Sequence, residues 1–116
     1  MRQRLGEGPA AAEALRESLS LFRDLRRKWE SVNAVERLAA LVPDPARAAR
    51  LLGAAEAVRD ALGAPIAPLD QAEHTRLVER LRADLSAPDF QQAWAAGRGQ
   101  GAADWDQVVA AILSPG

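Results

Sequence analysis

Few side chains in this sequence combine the residue type and the spacing that catalysis requires. His74 is the only histidine, and the chain has no cysteine, so His74 is predicted to pack at the rim of a helix and not to bind a metal. Glu56 and Asp60 lie one helical turn apart, as paired catalytic carboxylates would, but the neighbouring Arg59 favours an exposed charged face. No serine has a partner base in a recognisable arrangement. We therefore predict a protein that is not an enzyme and has no cofactor.

The densest group of charges is basic and lies beside an aromatic residue. Arg23, Arg26, Arg27 and Lys28 precede Trp29. Cations beside an aromatic ring are able to bind a phosphate backbone or a nucleotide, although the end of a helix also collects cations that complement its dipole. The net charge of −1 gives little drive for counterion release. We therefore expect a protein partner here and do not expect this segment to bind nucleic acid.

The three tryptophans are predicted to anchor the core or to join helices. They are Trp29, Trp94 and Trp105. Trp105 is also a candidate for docking a partner, because Asp104 and Asp106 flank it and a glycine-rich stretch precedes it. The sequence thus predicts one set of partner-binding residues: Arg23, Arg26, Arg27, Trp29 and Trp105.

Composition indicates one small domain built from helices. The chain has 116 residues, of which 48% are hydrophobic and only 4% aromatic, so its core consists of Leu, Val and Ala and favours packed helices over a sheet. The absence of cysteine excludes disulfides and thiolate sites. No apolar run approaches the ~20 residues that cross a bilayer. Because the N-terminus also lacks the apolar stretch of a signal peptide, we expect a cytoplasmic protein with no membrane contact.

An internal sequence repeat with a spacing of 37 residues predicts how these helices are arranged. Gly6-Glu7-Gly8, Ala11, Leu15 and Ser18 recur as Pro43-Asp44-Pro45, Ala48, Leu52 and Ala55. A turn followed by a small, a large apolar and another small residue is typical of helix-turn-helix repeats of about 34 residues. We therefore predict an all-α fold, an antiparallel helix-hairpin solenoid fragment of about six helices that resembles tetratricopeptide (TPR) repeats.

Start and stop signals place the first three helices. The first is predicted from Pro9 to about Arg27 and the second near Ser31 to Val42. The third has Asp44 as its N-cap and ends at Gly63.

The remaining helices follow a proline-rich stretch. The fourth is predicted from Leu69 to Leu85, and the fifth follows Ser86, whose spacing to Asp89 resembles a capping box. Gly97, Gly99 and Gly101 are predicted to break the chain before a sixth helix. The buried stripe of that sixth helix is predicted to contain Trp105, Val108, Val109 and Ile112. This gives two repeat segments over residues 1–63, a linker at 64–68 and a C-terminal helical cap at 69–116.

Three stretches of the sequence resemble a known family. They are Asp44–Pro65, Glu17–Leu25 with the following Trp29, and Phe90–Arg98, which reads F-Q-Q-A-W-A-A-G-R. Together they are similar to the C-terminal end of the TPR-like region in large bacterial ATP-binding regulators, the LuxR-type transcriptional activators and predicted ATPases. The order of the three stretches is more specific than any one of them.

The chain also departs from that family. The turn between Leu38 and Asp44 is about three residues shorter than usual. After Arg98 the sequence Gly99–Ala103 replaces the family's common pattern. There is no G-x-x-x-x-G-K-[ST] phosphate loop and no recognition-helix unit, so neither ATPase nor DNA-binding activity is expected of these residues.

The resemblance implies a non-catalytic protein-interaction and regulatory module of such a regulator. A small-effector-sensing helical domain and a stand-alone helical adaptor are the alternatives. The expected partner is a protein or the missing parts of the same polypeptide. A homodimer through the first helix is a further expectation, because the apolar stripe of Leu15, Leu19 and Phe22 would face solvent unless helices five and six fold back to cover it.

Overall fold

Every regular segment of the described chain is helical. The computed structural model describes the backbone of residues 2–63 and 68–114 and the side chains of residues 10–63 and 71–114. Within these ranges no strand forms, and the principal extents are 36 × 34 × 32 Å. The predicted all-α class is confirmed. The helices are α1 (Arg2–Asp24), α2 (Lys28–Ala39), α3 (Pro45–Leu62), α4 (Pro68–Asp84), α5 (Ala87–Ala103) and α6 (Trp105–Leu113).

Helix α3 begins and ends where the sequence predicts. The side chain of Asp44 accepts a hydrogen bond from the N–H of Ala46 at 3.1 Å, and Pro45 occupies the first position, where its missing N–H has no cost. Gly63 closes the helix in the left-handed conformation with φ 65°. This region is open to glycine without strain, so a single residue both ends the helix and bonds its last carbonyls.

The predicted bounds of the first two helices were wrong. Helix α1 begins at Arg2, so Pro9 lies inside it and not at its start. It ends at Asp24 because the chain turns back at Arg26. Helix α2 consequently starts at Lys28, ahead of the predicted Ser31, and ends at Ala39.

The glycines of α5 do not break the chain, contrary to the prediction. Helix α5 runs unbroken from its N-cap Ser86, whose side chain accepts from the N–H of Asp89 at 3.2 Å, through all three glycines. Gly97 and Gly101 face α3 at such close range that a Cβ at either position would overlap backbone atoms of α3. These glycines therefore permit close packing of two helices, and only Gly99 faces open space.

One continuous core joins all six helices. The largest completely buried side chains come from α1, α2, α3, α4 and α6: Leu19, Val32, Val35, Leu52, Leu81 and Val109. Phe90 adds α5 to this core, and Arg82 of α4 stacks on its ring at 4.4 Å. The predicted stripe of α6 is confirmed, because all four of its members are buried. The contact between α3 and α5 is more extensive than that of any other pair of helices, although α4 lies between these two in the chain.

The two copies of the internal sequence repeat differ in burial. Ala48 and Leu52 of α3 are buried, whereas Ala11 is exposed and Leu15 is half-buried in α1. The difference arises because α3 packs against both α2 and α5, while α1 has neighbours on fewer sides. The predicted equivalence of Leu15 and Leu52 is therefore only partial.

The predicted apolar stripe of α1 does not face solvent. Leu19 is completely buried, and Leu15 and Phe22 pack against the core. Helix α6 lies against α1, which agrees for the sixth helix with the alternative in which helices five and six fold back to cover the stripe. Among the described side chains at this end of the helix, Leu21 of α1 and Leu25, which directly follows it, are large, apolar and exposed.

Two further sequence predictions concern the proline-rich linker and contact with a membrane. Residues 64–67 of the predicted linker lie outside the described ranges, and the division of the chain around that linker stays a prediction. Among the described helices, none has the length and apolar character needed to cross a membrane.

Candidate functional site

The turn between α1 and α2 holds an arginine in an unusual backbone conformation. The N–H of Arg26 donates to the carbonyl of Arg23 at 3.1 Å, and the N–H of Arg27 donates to the carbonyl of Phe22 at 2.8 Å. This pair of bonds is a Schellman motif, whose central position is usually glycine. Here it is Arg26, with φ 58°, the only non-glycine residue of the described chain in the left-handed region. We call Arg26, Arg27 and Lys28 the basic corner.

The basic corner forms one wall of a cleft of about 700 Å³. The opposite wall is the start of α6, which contributes Asp104, Trp105 and Asp106. We call this the α1–α6 cleft. Four of the five predicted partner-binding residues line it, namely Arg23, Arg26, Arg27 and Trp105. The fold thus joins two groups of residues that are far apart in the sequence.

Not every charge in the α1–α6 cleft is already paired. Arg27 bonds Glu30 at 2.9 Å, and Arg23 lies 3.5 Å from its neighbour Asp24. Arg26 and Lys28 have no carboxylate within ion-pair distance in the described part of the chain. These two cations are therefore available to an anionic group.

Trp105 forms part of the cleft lining without being an exposed side chain. It is only 6% exposed, and its Nε1–H is the one buried side-chain donor of the described residues that lacks an acceptor. An uncompensated buried donor costs about 1 to 3 kcal/mol. The prediction that Trp105 anchors the core agrees with this burial, whereas docking of a partner on its open face does not. A hydrogen-bond acceptor placed against this Nε1–H, at the α6 wall of the cleft, would therefore be stabilising.

Trp29 lies outside the cleft, and its prediction as a core anchor was wrong. Its side chain is 47% exposed. Trp29 lies in the first turn of α2, which begins earlier than predicted. Leu21 of α1 and Leu25, which directly follows α1, are 55% and 57% exposed. The end of α1, the turn after it and the first turn of α2 thus present three large apolar side chains to solvent beside the cations of the basic corner. We call Leu21, Leu25 and Trp29 the apolar patch.

A buried ion pair joins α2 to α3 and corrects the prediction for Arg59. Arg59 was expected on an exposed charged face, but its side chain is 6% exposed. It bonds Glu36 through Nε at 2.7 Å and Nη2 at 2.6 Å, and it also donates to the side chain of Asn33. A bidentate, additionally bonded guanidinium is the arrangement that makes a buried charge tolerable. We assign it a structural role.

A second network joins α3 to α5 and accounts for Glu56 and Asp60. Arg98 donates to both carboxylates, and Trp94 donates its Nε1–H to Glu56 at 3.0 Å. The bond to Asp60, followed by that to Glu56, raises the pKa of Arg98 above its usual value. Arg98 therefore stays charged at every ordinary pH. These carboxylates hold the helices together, as does Trp94, which was predicted to be an inter-helix anchor.

His74 is half-buried on α4 and lines a small pocket of about 80 Å³ with Glu73 and Leu77. Among the described side chains there is no group of three potential metal ligands. Comparison with protein families, curated proteins and solved structures gives no match to this chain.

Proposed function

We propose that this chain is a non-catalytic, TPR-like interaction module that binds an acidic segment of a partner protein at the basic corner and the α1–α6 cleft. The resemblance to ATP-binding transcriptional regulators suggests that the module is the C-terminal part of such a regulator and acts in the cytoplasm. The partner is then a second protein or another part of the same polypeptide. The strained conformation of Arg26 is the observation that supports the proposal most directly.

The backbone conformation of Arg26 lowers the stability of the fold. A left-handed conformation costs an ordinary residue about 1 kcal/mol or more relative to glycine. Glycine at this position would make the same two backbone bonds without that cost. Residues held in such conformations cluster at functional sites, where the strain positions a side chain. We infer that the guanidinium of Arg26 is needed at the mouth of the cleft.

The apolar patch supplies the second element of a protein-binding surface. Binding energy at protein interfaces is concentrated in Trp, Tyr and Arg residues that are surrounded by apolar contacts. Trp29 directly follows the basic corner in the chain, and Leu21 and Leu25 add apolar surface at the end of α1 and in the turn after it. A partner segment that combines acidic and apolar side chains would match both parts of this surface.

Charge distinguishes an acidic protein segment from nucleic acid. Three carboxylates also line the cleft, those of Asp24, Asp104 and Asp106, and the chain as a whole has a charge of −1. A continuous phosphate backbone would be repelled by these groups and would gain little from counterion release. A peptide is able to place single carboxylates beside Arg26 and Lys28 and keep the rest of its length neutral.

Fluorescence anisotropy tests the proposal with a short labelled peptide rich in glutamate and leucine. Arg26→Gly removes the cation and also relaxes the backbone, so we expect about tenfold weaker binding in a protein that is no less stable. Trp29→Ala is expected to weaken binding as well. Arg80→Gln, at an exposed position of α4, is the matched control and should bind as the natural protein does.

Three results would contradict the proposal. One is binding that does not change when glutamine replaces every glutamate of the peptide. Another is equal binding by the Arg26→Gly and Arg80→Gln proteins. The third is tighter binding of a labelled single-stranded oligonucleotide than of the peptide at physiological salt.

A further inference from the structure

A second concave surface lies on the other side of α6. This groove has a volume of about 340 Å³ and is formed by the first half of α3, the end of α5 and α6. Its apolar lining includes Leu51, Val108 and Ile112, and Arg47 and Arg50 stand on its α3 side. We call it the α3–α6 groove. Its size falls within the range of about 300 to 1,000 Å³ that is typical of small-molecule sites.

Arg50 differs from the other enclosed arginines of the protein. Arg59 and Arg98 each bond carboxylates on a neighbouring helix. Arg50 is half-buried as well, yet neither it nor Arg47 has a carboxylate within ion-pair distance among the described residues. The guanidinium nitrogens of Arg50 are not among the buried atoms that lack a partner, so this group meets solvent at the groove. The groove therefore presents a cation that no carboxylate of the described residues neutralises.

Two cations lie together at this end of the groove. Arg47 and Arg50 are three residues apart, so they lie on one face of α3 and repel each other. Arg47 is also in the first turn of α3, where the helix dipole opposes a cation, although the carboxylate of Asp44 already caps the helix end. One anion bound to both guanidinium groups would relieve their mutual repulsion.

The lining restricts the anion to a particular class. The apolar side chains of α3 and α6 suit a hydrocarbon chain that is removed from water. Asp104 also lines the groove, with its side chain accepting a hydrogen bond from the N–H of Gln107 at 3.1 Å. Its carboxylate disfavours a ligand with two negative charges. A single carboxylate matches the planar fork of a guanidinium.

We propose that the α3–α6 groove binds a small amphiphilic carboxylate, with its head group on Arg47 and Arg50 and its hydrocarbon chain against α6. This goes beyond the interaction function, because the ligand, the residues and the surface are all different. Since α6 also forms a wall of the α1–α6 cleft, such a ligand would act on the helix that the protein partner contacts.

Isothermal titration calorimetry with decanoate, below its micelle concentration, tests this site. We expect saturable binding with one decanoate per chain, and no saturable binding of decanol or acetate, which lack the charge or the chain. The double variant R47Q/R50Q should bind decanoate at least about tenfold more weakly. Ala111→Leu should do the same by filling the groove, since Ala111 is an exposed residue of its lining.

Arg80→Gln is again the matched control and should bind decanoate normally. Circular dichroism of each variant verifies that it is folded, and the acidic-peptide assay shows that the basic corner is intact in R47Q/R50Q. The proposal is overturned if decanoate does not saturate the natural protein, or if R47Q/R50Q and Ala111→Leu bind it as tightly as Arg80→Gln does. Loss of peptide binding with normal decanoate binding would count against the interaction function alone.

Discussion

Gly97 of α5 lies directly against the backbone of Arg50 in α3, so closely that a Cβ at position 97 would overlap the Arg50 carbonyl. Gly53 of α3 meets the carbonyl of Trp94 in the same way. Contact at backbone range brings the two helix axes unusually near each other and explains why α3 and α5 form the most extensive interface of the protein. The side chain of Arg50 is left at the edge of this contact, where it borders the α3–α6 groove.

Two alanine substitutions on α5 should therefore have opposite effects. Gly97→Ala is expected to lower the free energy of unfolding by about 1 to 3 kcal/mol, because backbone atoms must separate to admit the methyl group. Gly99→Ala should raise it by about 0.5 to 1 kcal/mol, since alanine favours the helix and nothing lies within 4 Å of its Cβ. Urea denaturation followed by circular dichroism measures both. Equal changes in the two variants would contradict the close α3–α5 contact.

Arg26→Gly should stabilise the protein. Glycine adopts the left-handed conformation without the steric cost that arginine bears, so the free energy of unfolding is expected to rise by about 0.5 to 1 kcal/mol. The same denaturation experiment measures this. Arg16→Gly, at an exposed position in the middle of α1, is the control and should destabilise by about 1 kcal/mol. A loss of stability in Arg26→Gly would mean that the side chain of Arg26 contributes to the fold, and the argument from strain would fail.

The buried pair of Arg59 and Glu36 gives a third prediction. Arg59→Met leaves the carboxylate of Glu36 enclosed without its cation, which should cost about 3 to 5 kcal/mol. Replacing both residues in E36L/R59M removes the unpaired charge and should restore much of that loss. Thermal unfolding compares the two proteins. Arg98→Met serves as the comparison for an exposed network, and its smaller effect should diminish further at high salt. A double variant no more stable than Arg59→Met would show that Glu36 is not the source of the cost.

The sequence predicted those helix ends and buried faces that are determined by residues close together in the chain. Asp44 and Gly63 delimit α3 by hydrogen bonds within a few residues, and the spacing of Trp105 to Ile112 defines the buried face of α6. Both were predictable because cap chemistry and helical periodicity are local properties.

Features that depend on distant contacts were not predictable in this way. The glycines of α5 were predicted to break the chain, because the sequence alone does not show that they pack against α3. Arg59 was placed on the surface for the same reason, since its partners Asn33 and Glu36 are on another helix. For the candidate site, the sequence identified most of the side chains. It did not indicate that Arg47 and Arg50 would border a groove.

The different burial of the three tryptophans gives the last prediction. Trp29 is the most exposed, Trp94 is half-buried with its Nε1–H bonded to Glu56, and Trp105 is buried. Trp29→Phe should therefore remove most of the fluorescence that acrylamide quenches readily, and it should change the free energy of unfolding by less than about 0.5 kcal/mol. Trp105→Phe is the matched variant, and it should retain the quenchable fraction while lowering stability, because its ring fills part of the core. Since the acidic peptide is proposed to cover Trp29, adding it to the natural protein should protect the quenchable fraction. Undiminished quenching at saturating peptide would place the peptide away from the apolar patch.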